Sequence, residues 1–307
     1  MLVNQASNSG ERPALAVESF GSTLLERLMA PACAPRESGV VLYWLGQAGF
    51  VIDCGGFRML IDPYLSDSLA EKYRGTRFPH LRMMAPPLDP TTLDRLDLVL
   101  CTHRHTDHMD PGTLKPIARR FPSVKFVVPA ASIDEALKRC DVAVDRLIPV
   151  NAGQRVEVLP GCFVSPVASA HETLDADTDG NYPWLGYVIE TGGVRLYHSG
   201  DCVPYPELAA RLAEHAPDVA LLPVNGRDTT RSGNGVPGNF TLDEAVTLAK
   251  AGHARAMIAH HYGLFDFNTI SPEEIDARIQ QERADGFEMH RAQTGHAWRV
   301  VKTGNMR

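Results

Sequence analysis

Residues 102–110 read Thr102-His103-Arg104-His105-Thr106-Asp107-His108-Met109-Asp110, and this stretch is the most informative part of the chain. It follows the apolar run Leu96-Asp97-Leu98-Val99-Leu100-Cys101, which predicts a short buried strand. Three histidines and an aspartate with the spacing H-x-H-x-D-H, delivered from a strand's end, can surround a metal. Imidazole and carboxylate are common ligands of zinc and related ions. The alternative is a histidine-rich surface loop that binds no metal.

Further candidate ligands come after three later apolar runs, each of which predicts a strand. The residues that follow these runs are His171, Asp201 and the pair His260-His261. His198 lies inside the run that leads to Asp201, so we expect it to be packed in the interior rather than to bind metal. The residues alone do not decide which histidine of the pair is the ligand.

Together, these residues resemble the metal-binding signature of the metallo-β-lactamase superfamily, which has one histidine, one aspartate and one histidine after the first motif. The resemblance implies an α/β fold, a four-layer αββα sandwich, with the ligand loops at one edge. It also implies two divalent metal ions, zinc or manganese, with iron as a further option. By this resemblance the ligands are His103, His105 and His171 for one metal, Asp107, His108 and His261 for the second, and Asp201 as the bridge.

The resemblance also bears on the choice between His260 and His261, and a separate argument applies to Asp62. A His-Tyr dipeptide recurs in the family, so His261-Tyr262 favours His261 as the ligand and leaves His260 near the metal or on the substrate side. Asp62 ends the predicted strand Phe57-Arg58-Met59-Leu60-Ile61-Asp62, and we expect its carboxylate to accept a hydrogen bond from a ligand histidine. The alternative for Asp62 is a turn residue before Pro63.

Flanking segments resemble the bacterial L-ascorbate-6-phosphate lactonase branch of the superfamily. The segments that carry the likeness are Tyr43–Gly49, Leu88–Pro90, Leu196–Asp201, His260-His261 and Ser271–Ile275. That lactonase lacks a histidine at the third ligand position, where this chain has His171. The difference predicts a different arrangement of metals or a different substrate.

The implied activity is metal-dependent hydrolysis. Two metals that share a water lower its pKa, and the resulting hydroxide would open a lactone or ester of a small polar molecule, phosphorylated ones included. Asp107 and Asp201 would orient this nucleophile or relay its proton. Asn225 and Tyr262 are expected to donate hydrogen bonds to the substrate oxygen that gains charge.

Two basic clusters are candidates for binding an anionic substrate, because arginine bonds two phosphate oxygens at once. The first comprises Lys72, Arg74, Arg77 and Arg82, and the second Arg227 and Arg231. The alternative for each cluster is an ordinary solvated loop.

Three other functions are compatible with parts of the pattern. A phosphodiesterase like the N-acyl-phosphatidylethanolamine phospholipase D branch would need a lipid groove, which the segment 81–87 suggests only weakly. A diiron oxidoreductase on this fold would have a glutamate at His105 and an attached flavin domain. A metal-binding scaffold without catalysis would have lost a ligand, and none is lost here.

Composition favours a soluble cytoplasmic enzyme with a small-molecule substrate. The 307 residues are 44% hydrophobic and carry a net charge of −7, which argues against a broad nucleic-acid-binding surface. No apolar run approaches the ~18 residues of a membrane helix, and no basic segment with an apolar core precedes the domain. The six cysteines are scattered singly, as expected for reduced thiols.

The chain divides into an N-terminal helical extension, residues 1–38, and a hydrolase domain, residues 39–307. In the extension, Phe20, Leu24 and Leu28 recur every four residues and predict a short amphipathic helix, which could support a homo-oligomer. Two strands are predicted around Gly55-Gly56, and the long connection 63–92 is expected to be functional or mobile. Later helices are predicted at 111–120 and 205–215 and after Ser132, Thr241 and Ser271.

Overall fold

Strand β2 (Val40–Gly46) shows why this chain folds into layers. In the computed structural model, which describes residues 14–29 and 39–301, every residue of this strand is buried. Val40, Leu42 and Trp44 pack into the core between two sheets, while the alternate residues pack towards helices on the other side. A strand with no polar face must be covered on both sides, so a second sheet and a layer of helices are both required.

The first sheet has eight strands in the order β1-β15-β2-β3-β4-β5-β6-β7. Its members besides β2 are β1 (Ala14–Ser19), β3 (Gly49–Cys54), β4 (Phe57–Ile61), β5 (Leu98–Leu100), β6 (Lys125–Pro129), β7 (Leu147–Val150) and β15 (His296–Val301). Pairing is antiparallel from β1 to β4 and parallel from β4 to β7.

The second sheet has seven strands in the order β14-β13-β12-β11-β10-β9-β8. They are β8 (Val156–Leu159), β9 (Cys162–Ala168), β10 (Leu185–Thr191), β11 (Val194–His198), β12 (Val219–Pro223), β13 (Ala256–His260) and β14 (Glu288–Arg291). Again the early strands pair antiparallel and the later ones, β11 to β14, pair parallel. The two halves of the chain therefore build sheets of the same design.

Eight α-helices lie among the described residues. They are α1 (Leu24–Met29), α2 (Ser68–Lys72), α3 (Pro111–Arg120), α4 (Ile133–Cys140), α5 (Leu208–His215), α6 (Thr229–Ser232), α7 (Leu242–Ala251) and α8 (Pro272–Ala284). Helices α1, α3 and α4 bury apolar residues against the outer face of the first sheet, and α5, α7 and α8 do so on the second. This arrangement confirms the predicted four-layer αββα sandwich.

The N-terminal segment joins the first sheet rather than standing apart from it. Strand β1 was not predicted, and it pairs antiparallel with β15 along its whole length. The predicted helix is present as α1, where Leu24 and Leu28 are buried against the sheet. The rest of the predicted extension, residues 1–13 and 30–38, lies outside the described residues. The described part of this segment is thus not purely helical.

Other predicted elements agree with the structure except in detail. Three strands, not two, occupy the stretch from Val40, because the chain turns at Gly46–Gly49 as well as at Gly55-Gly56. The predicted helices after Thr241 and Ser271 both begin with capping boxes. Ser132 precedes a helix as predicted, yet its side chain makes no capping hydrogen bond. No helix among the described residues has the length and apolar character needed to cross a bilayer.

A candidate dinuclear metal centre

The candidate ligands meet because each leaves the end of its own strand. The motif 102–110 follows β5, His171 lies shortly after β9, Asp201 shortly after β11, and His261 directly after β13. Gly200 permits the approach of the Asp201 loop, since a Cβ there would lie 2.8 Å from the Thr102 side chain. Its φ of +59° is also one that glycine adopts at little cost.

All seven predicted ligands enter three overlapping groups whose ligand atoms lie within 4.8 Å of one another. The groups are His103, His108 and Asp201; His105, His171 and Asp201; and Asp107, His108 and His261. The third group equals the ligand set expected for the second metal. The set expected for the first metal is divided between the other two groups, with ring centroids of His103, His105 and His171 between 4.6 and 5.6 Å apart.

Asp201 occupies the centre of the cluster. Its Oδ1 lies 3.2 Å from Nε2 of His108 and 3.2 Å from Nε2 of His261, and its Oδ2 lies 4.0 Å from Nε2 of His103. Asp107 Oδ2 lies 3.8 Å from the same nitrogens of His108 and His261. One carboxylate thus presents its two oxygens to two sides of the cluster, which is the geometry that a bridging ligand needs.

Asp62 orients two of the histidines. Its Oδ2 lies 2.7 Å from His108 Nδ1 and accepts a 2.6 Å hydrogen bond from the Thr102 hydroxyl. That hydroxyl lies 3.1 Å from His103 Nδ1, so it accepts the proton of this nitrogen while donating its own to Asp62. A carboxylate can only accept, and both rings are therefore held with Nδ1 protonated and Nε2 turned towards the cluster. The contact predicted for Asp62 is present.

Gln47 supports the cluster from the turn between β2 and β3. Its side-chain Nε2 donates a 2.9 Å hydrogen bond to Asp107 Oδ2. Its carbonyl oxygen accepts hydrogen bonds from the His261 backbone N–H at 2.9 Å and from the Trp44 indole at 3.0 Å. Sequence reasoning gave no role to Gln47 or Thr102, because neither type has a characteristic spacing from the histidines.

Burial sets the charge of most of the histidines. It lowers the pKa of His103 well below the usual value, lowers that of His105, and lowers the pKa of His171 to about 4. Rings with such values are neutral at pH 7 and offer a lone pair to a cation, so binding requires no loss of a proton from them.

The carboxylate side of the cluster behaves in the opposite way. Burial favours the neutral acid of Asp201, but the nearby His108 and His261 outweigh it and hold the pKa of Asp201 well below its usual range. Burial likewise opposes a charge on His108, yet Asp201, Asp62 and Asp107 together raise its pKa well above the usual value. The cluster therefore attracts positive charge to its centre, and a metal ion would take the place of the His108 proton.

Several buried nitrogen and oxygen atoms of the cluster have no well-formed hydrogen bond among the described residues, which fits a bound metal better than a hydrogen-bond network. Nε2 of His103, His108, His171 and His261 and Oδ1 of Asp201 are buried without a well-formed hydrogen bond to any described residue. Unpaired buried polar atoms are costly, so such a set in one place indicates a bound partner. Five imidazoles and two carboxylates suit zinc, manganese or iron, and they would hold two such ions.

The two neighbouring histidines of the second sheet are part of the core. His198 uses both ring nitrogens, since Nε2 donates a 2.8 Å hydrogen bond to Ala48 O and Nδ1 accepts one from the Gly200 N–H. His260 is fully buried and stacks on His198 with ring centroids 4.9 Å apart. His261 has a φ of +62°, and this left-handed turn sends its side chain to the metal cluster instead. His198 is packed as predicted, whereas the substrate-side role considered for His260 is not supported.

A cavity of about 590 Å³ opens over the cluster. His105, Asp107, His171, Asp201 and His261 form part of its wall. The long connection 63–92, which was predicted to be functional or mobile, supplies another part of the wall, including Lys72, Tyr73, Arg77, Phe78 and His80. The ligand cluster is thus accessible to a small molecule, although most of its atoms are buried.

The other predicted substrate contacts do not line this cavity. Asn225 bonds to the side chains of Asn268 and Asn239, and Arg227 forms an ion pair with Glu244. The Tyr262 hydroxyl donates to the carbonyl of Ala292, and its ring stacks on Trp44 at 5.3 Å. These polar groups already have partners within the protein, which corrects the roles expected for them.

The predicted basic clusters divide in a similar way. Arg82 donates to the carbonyls of Tyr64, Ser66 and Met84, and Arg231 is paired with Asp228. Lys72 and Arg77 alone of the six predicted cations line the cavity. Arg104, which lies between two ligand histidines, lines it as well.

Known proteins are similar to this chain in sequence and in fold. The chain is 27% identical over 254 residues to a UPF0173 metal-dependent hydrolase of Aeropyrum pernix, covering 78% of this chain and 90% of that one. A UPF0173 metal-dependent hydrolase of Myxococcus xanthus is 29% identical over 260 residues, covering 83% and 81%. The structure of Igni18, a metallo hydrolase from Ignicoccus hospitalis, is similar with a TM-score of 0.60 and 23% identity, covering 87% of this chain and 100% of that one.

A family pattern gives the most direct assignment. The pattern described as the beta-lactamase superfamily domain matches residues 57–262, which is more than half of the 307 residues. The matched segment contains Asp62 and the whole candidate metal cluster, from His103 to His261. The chain therefore belongs to the beta-lactamase superfamily domain family.

Proposed function

We propose that this protein is a metal-dependent hydrolase that opens a lactone or related ester of a small polar molecule, phosphorylated ones included. The observation that carries the proposal is the buried cluster of five histidines and two aspartates, with unpaired ligand atoms, at the wall of an open cavity. The names of the relatives from Aeropyrum pernix and Myxococcus xanthus support hydrolysis as the reaction class. The lactone is suggested by the flanking segments that resemble the lactonase branch.

Each residue of the cluster has a role in the proposed reaction. His103, His105 and His171 would hold one cation, Asp107, His108 and His261 a second, and Asp201 would face both. Two divalent cations held in this way lower the pKa of a nearby water and stabilise negative charge on a substrate oxygen. Gln47 donates a hydrogen bond to Oδ2 of Asp107, so Oδ1 of Asp107 is the oxygen that accepts the proton of the attacking water. Asp107 then returns this proton to the departing alcohol oxygen.

A phosphodiesterase is the second candidate, since the same cluster can attack phosphorus. It is favoured by Leu81 and Met83, which are 66% and 53% exposed in the connection 63–92 and could contact an acyl chain outside the cavity wall. The diiron oxidoreductase is disfavoured, because His105 stands in the cluster where that enzyme has a glutamate.

The test is metal content per chain, measured on protein purified without added metal, together with hydrolysis of a panel of bonds. The panel comprises a neutral lactone, an aryl ester, a bis-aryl phosphodiester and a β-lactam. We expect about two metals per chain and turnover of the lactone and ester that chelation abolishes. Turnover of the phosphodiester alone would select the second candidate.

Two variants make the test specific to the site. His105→Asn removes a ligand and should abolish turnover, whereas His253→Asn changes an exposed histidine with a φ of +58° that asparagine tolerates. The second variant should match the parent protein. Less than one metal per chain, with no turnover after addition of zinc, manganese or iron, would leave a non-catalytic scaffold as the explanation.

A further inference from the structure

Three cations on the cavity wall form no ion pair within 4.0 Å of a carboxylate among the described residues. Lys72 Nζ lies 4.9 Å from the ring centre of Tyr73, Arg77 Cζ lies 5.5 Å from that of Phe78, and Arg104 Cζ lies 6.0 Å from that of Trp184. All three side chains are exposed, and only Arg77 makes a hydrogen bond, a long one of 3.4 Å to Asn234 Oδ1. Each of the three cations is positioned by a cation–π contact with an aromatic ring, and this contact does not neutralise its charge.

The acidic groups of the same wall are already engaged. Glu135 forms a 2.5 Å ion pair with Arg139, which also donates to the carbonyl of Met109. Asp107 and Asp201 belong to the metal cluster, where cations would neutralise them. The protein as a whole has a net charge of −7, so an uncompensated positive wall is a local feature and attracts anions to this cavity.

The cavity also has an apolar side. Its lining includes the rings of Tyr73, Phe78 and Phe265, together with Leu69 and Val236. The ring of Phe78 packs against that of Phe267 with centroids 4.7 Å apart, and Phe265 stacks on the same ring at 5.9 Å, so the aromatic residues form one connected surface. A purely hydrophilic substrate would leave this surface in contact with water, whereas an aromatic or apolar body would cover it.

We propose that the substrate is an amphipathic anion, namely an ester whose apolar or aromatic body carries a carboxylate or phosphate. The charged group binds Lys72, Arg77 and Arg104, the body contacts the aromatic surface, and the scissile ester faces Asp107 and Asp201. This inference rests on the proposed function for the reaction itself. It narrows the small polar molecule of the proposed function to an anion with an apolar or aromatic body. It also differs from the sequence-based expectation in the residues used, since Arg74, Arg82, Arg227 and Arg231 are not part of the cavity wall.

A set of matched aryl acetates tests the substrate class on the metal-loaded protein. We expect kcat/KM for 4-acetoxybenzoate to exceed that for the neutral 4-acetoxybenzamide by about tenfold, the value of one charge-assisted hydrogen bond. Among alkyl acetates, which have leaving alcohols of similar basicity, 4-(acetoxymethyl)benzoate should be a better substrate than acetoxyacetate, an anion without a ring. Comparison of 4-acetoxybenzoate with 4-acetoxyphenyl phosphate decides between carboxylate and phosphate as the preferred group.

Variants identify the cations. Lys72→Gln and Arg77→Gln should raise KM for 4-acetoxybenzoate several-fold and should change KM for the neutral 4-acetoxybenzamide by a smaller factor. Lys125→Gln, which removes an exposed lysine from the distant strand β6, should change neither. Equal kcat/KM values for the charged and neutral esters, in the parent and in the variants, would overturn the inference while the proposed hydrolase function stands.

A binding experiment separates the two proposals. Calorimetry on the metal-loaded protein compares 4-acetamidobenzoate with 4-acetamidobenzamide, neither of which is an ester. We expect the charged compound to bind more tightly, with an affinity that falls with salt and with Arg77→Gln. If this preference is found but no ester, lactone or phosphodiester is hydrolysed, the anion site stands and the hydrolase proposal fails. Equal binding of both compounds would overturn the anion site.

Discussion

Asp62 fixes the orientation of two histidines with one carboxylate, and its φ of +44° is one that asparagine also adopts. Asp62→Asn keeps the shape but places an amide that donates where His108 Nδ1 also donates. We expect metal affinity to fall about 10- to 100-fold, the usual effect of losing such a partner. Competition with a chelating dye measures it. Asp285→Asn, at an exposed helix end, is the control and should have parental affinity. Equal affinities for the two variants would contradict the role of Asp62.

Gln47 gives a second test at the scale of one residue. Gln47→Asn tolerates the φ of +49° but is too short to reach Asp107 Oδ2. Loss of this hydrogen bond to a carboxylate should lower kcat by about tenfold, with the metal content retained. Steady-state kinetics and metal analysis on one preparation measure both quantities. Gln280→Asn, on the exposed side of α8, controls for the shortened side chain. An unchanged kcat would show that Asp107 needs no such support.

The ligands were predictable from sequence while their supports were not, and the reason is physical. A metal needs particular side chains at strand ends, so the H-x-H-x-D-H spacing and the later residues indicate the candidate ligands, although only the family resemblance favours His261 over His260. Gln47 and Thr102 act through turns whose geometry no residue pattern specifies. The expected substrate contacts failed for a related reason, because Asn225 and Tyr262 use their polar groups on partners that are distant in sequence.

Helix starts show the same limit at the scale of one element. Ser132, Thr241 and Ser271 all have a glutamate three residues later, and the pattern predicts a capping box at each. Only Thr241 and Ser271 form it. Ser132 ends a short 3₁₀ turn with a ψ of 16°, whereas an N-cap residue needs an extended backbone to direct its oxygen to the helix. The preceding turn therefore overrides the local pattern.

This difference makes a matched prediction for stability. Ser271→Ala removes a capping bond and should lower the free energy of unfolding by about 1 kcal/mol. Ser132→Ala removes a buried hydroxyl that has no hydrogen-bond partner among the described residues, and it should cost nothing or stabilise slightly. Urea denaturation of the two variants beside the parent provides the comparison. Equal losses for both would mean that the Ser271 cap contributes no more than a buried hydroxyl.

At the scale of the whole molecule, the metal cluster joins the two sheets. His103, His105 and Asp107 come from the first sheet, and His171, Asp201 and His261 from the second. An ion bound only by the folded protein stabilises it by about 2.7 kcal/mol at a hundredfold excess over Kd. Chelation should therefore lower the Tm, and zinc or manganese should restore it. The Tm of the His105→Asn variant should change less on chelation than the Tm of the parent protein. A Tm that stays constant while the metal content falls to zero would exclude a structural contribution of the metals.

The layered architecture was predictable, but the sheet order was predictable only in part. Continuous apolar runs such as β2 and β13 indicate strands covered on both faces, and alternating strands and helices indicate a layered α/β fold. The pairing of β1 with β15 joins segments from opposite ends of the described chain. Periodicity reports local structure only, so it contains no information on such a partner.

Strand β15 lies between β1 and β2, although it is the last of the described strands to leave the ribosome. During synthesis, strands β1 to β7 of the first sheet are made before β15. Until β15 is made, the edge of β2 opposite β3 has no partner strand. Because both faces of β2 are buried in the folded protein, the unpaired edge of β2 is prone to pair with strands of other chains until the later strands have been translated. Pairing of β2 with β15 therefore competes with pairing of β2 with another chain until β15 has been synthesised.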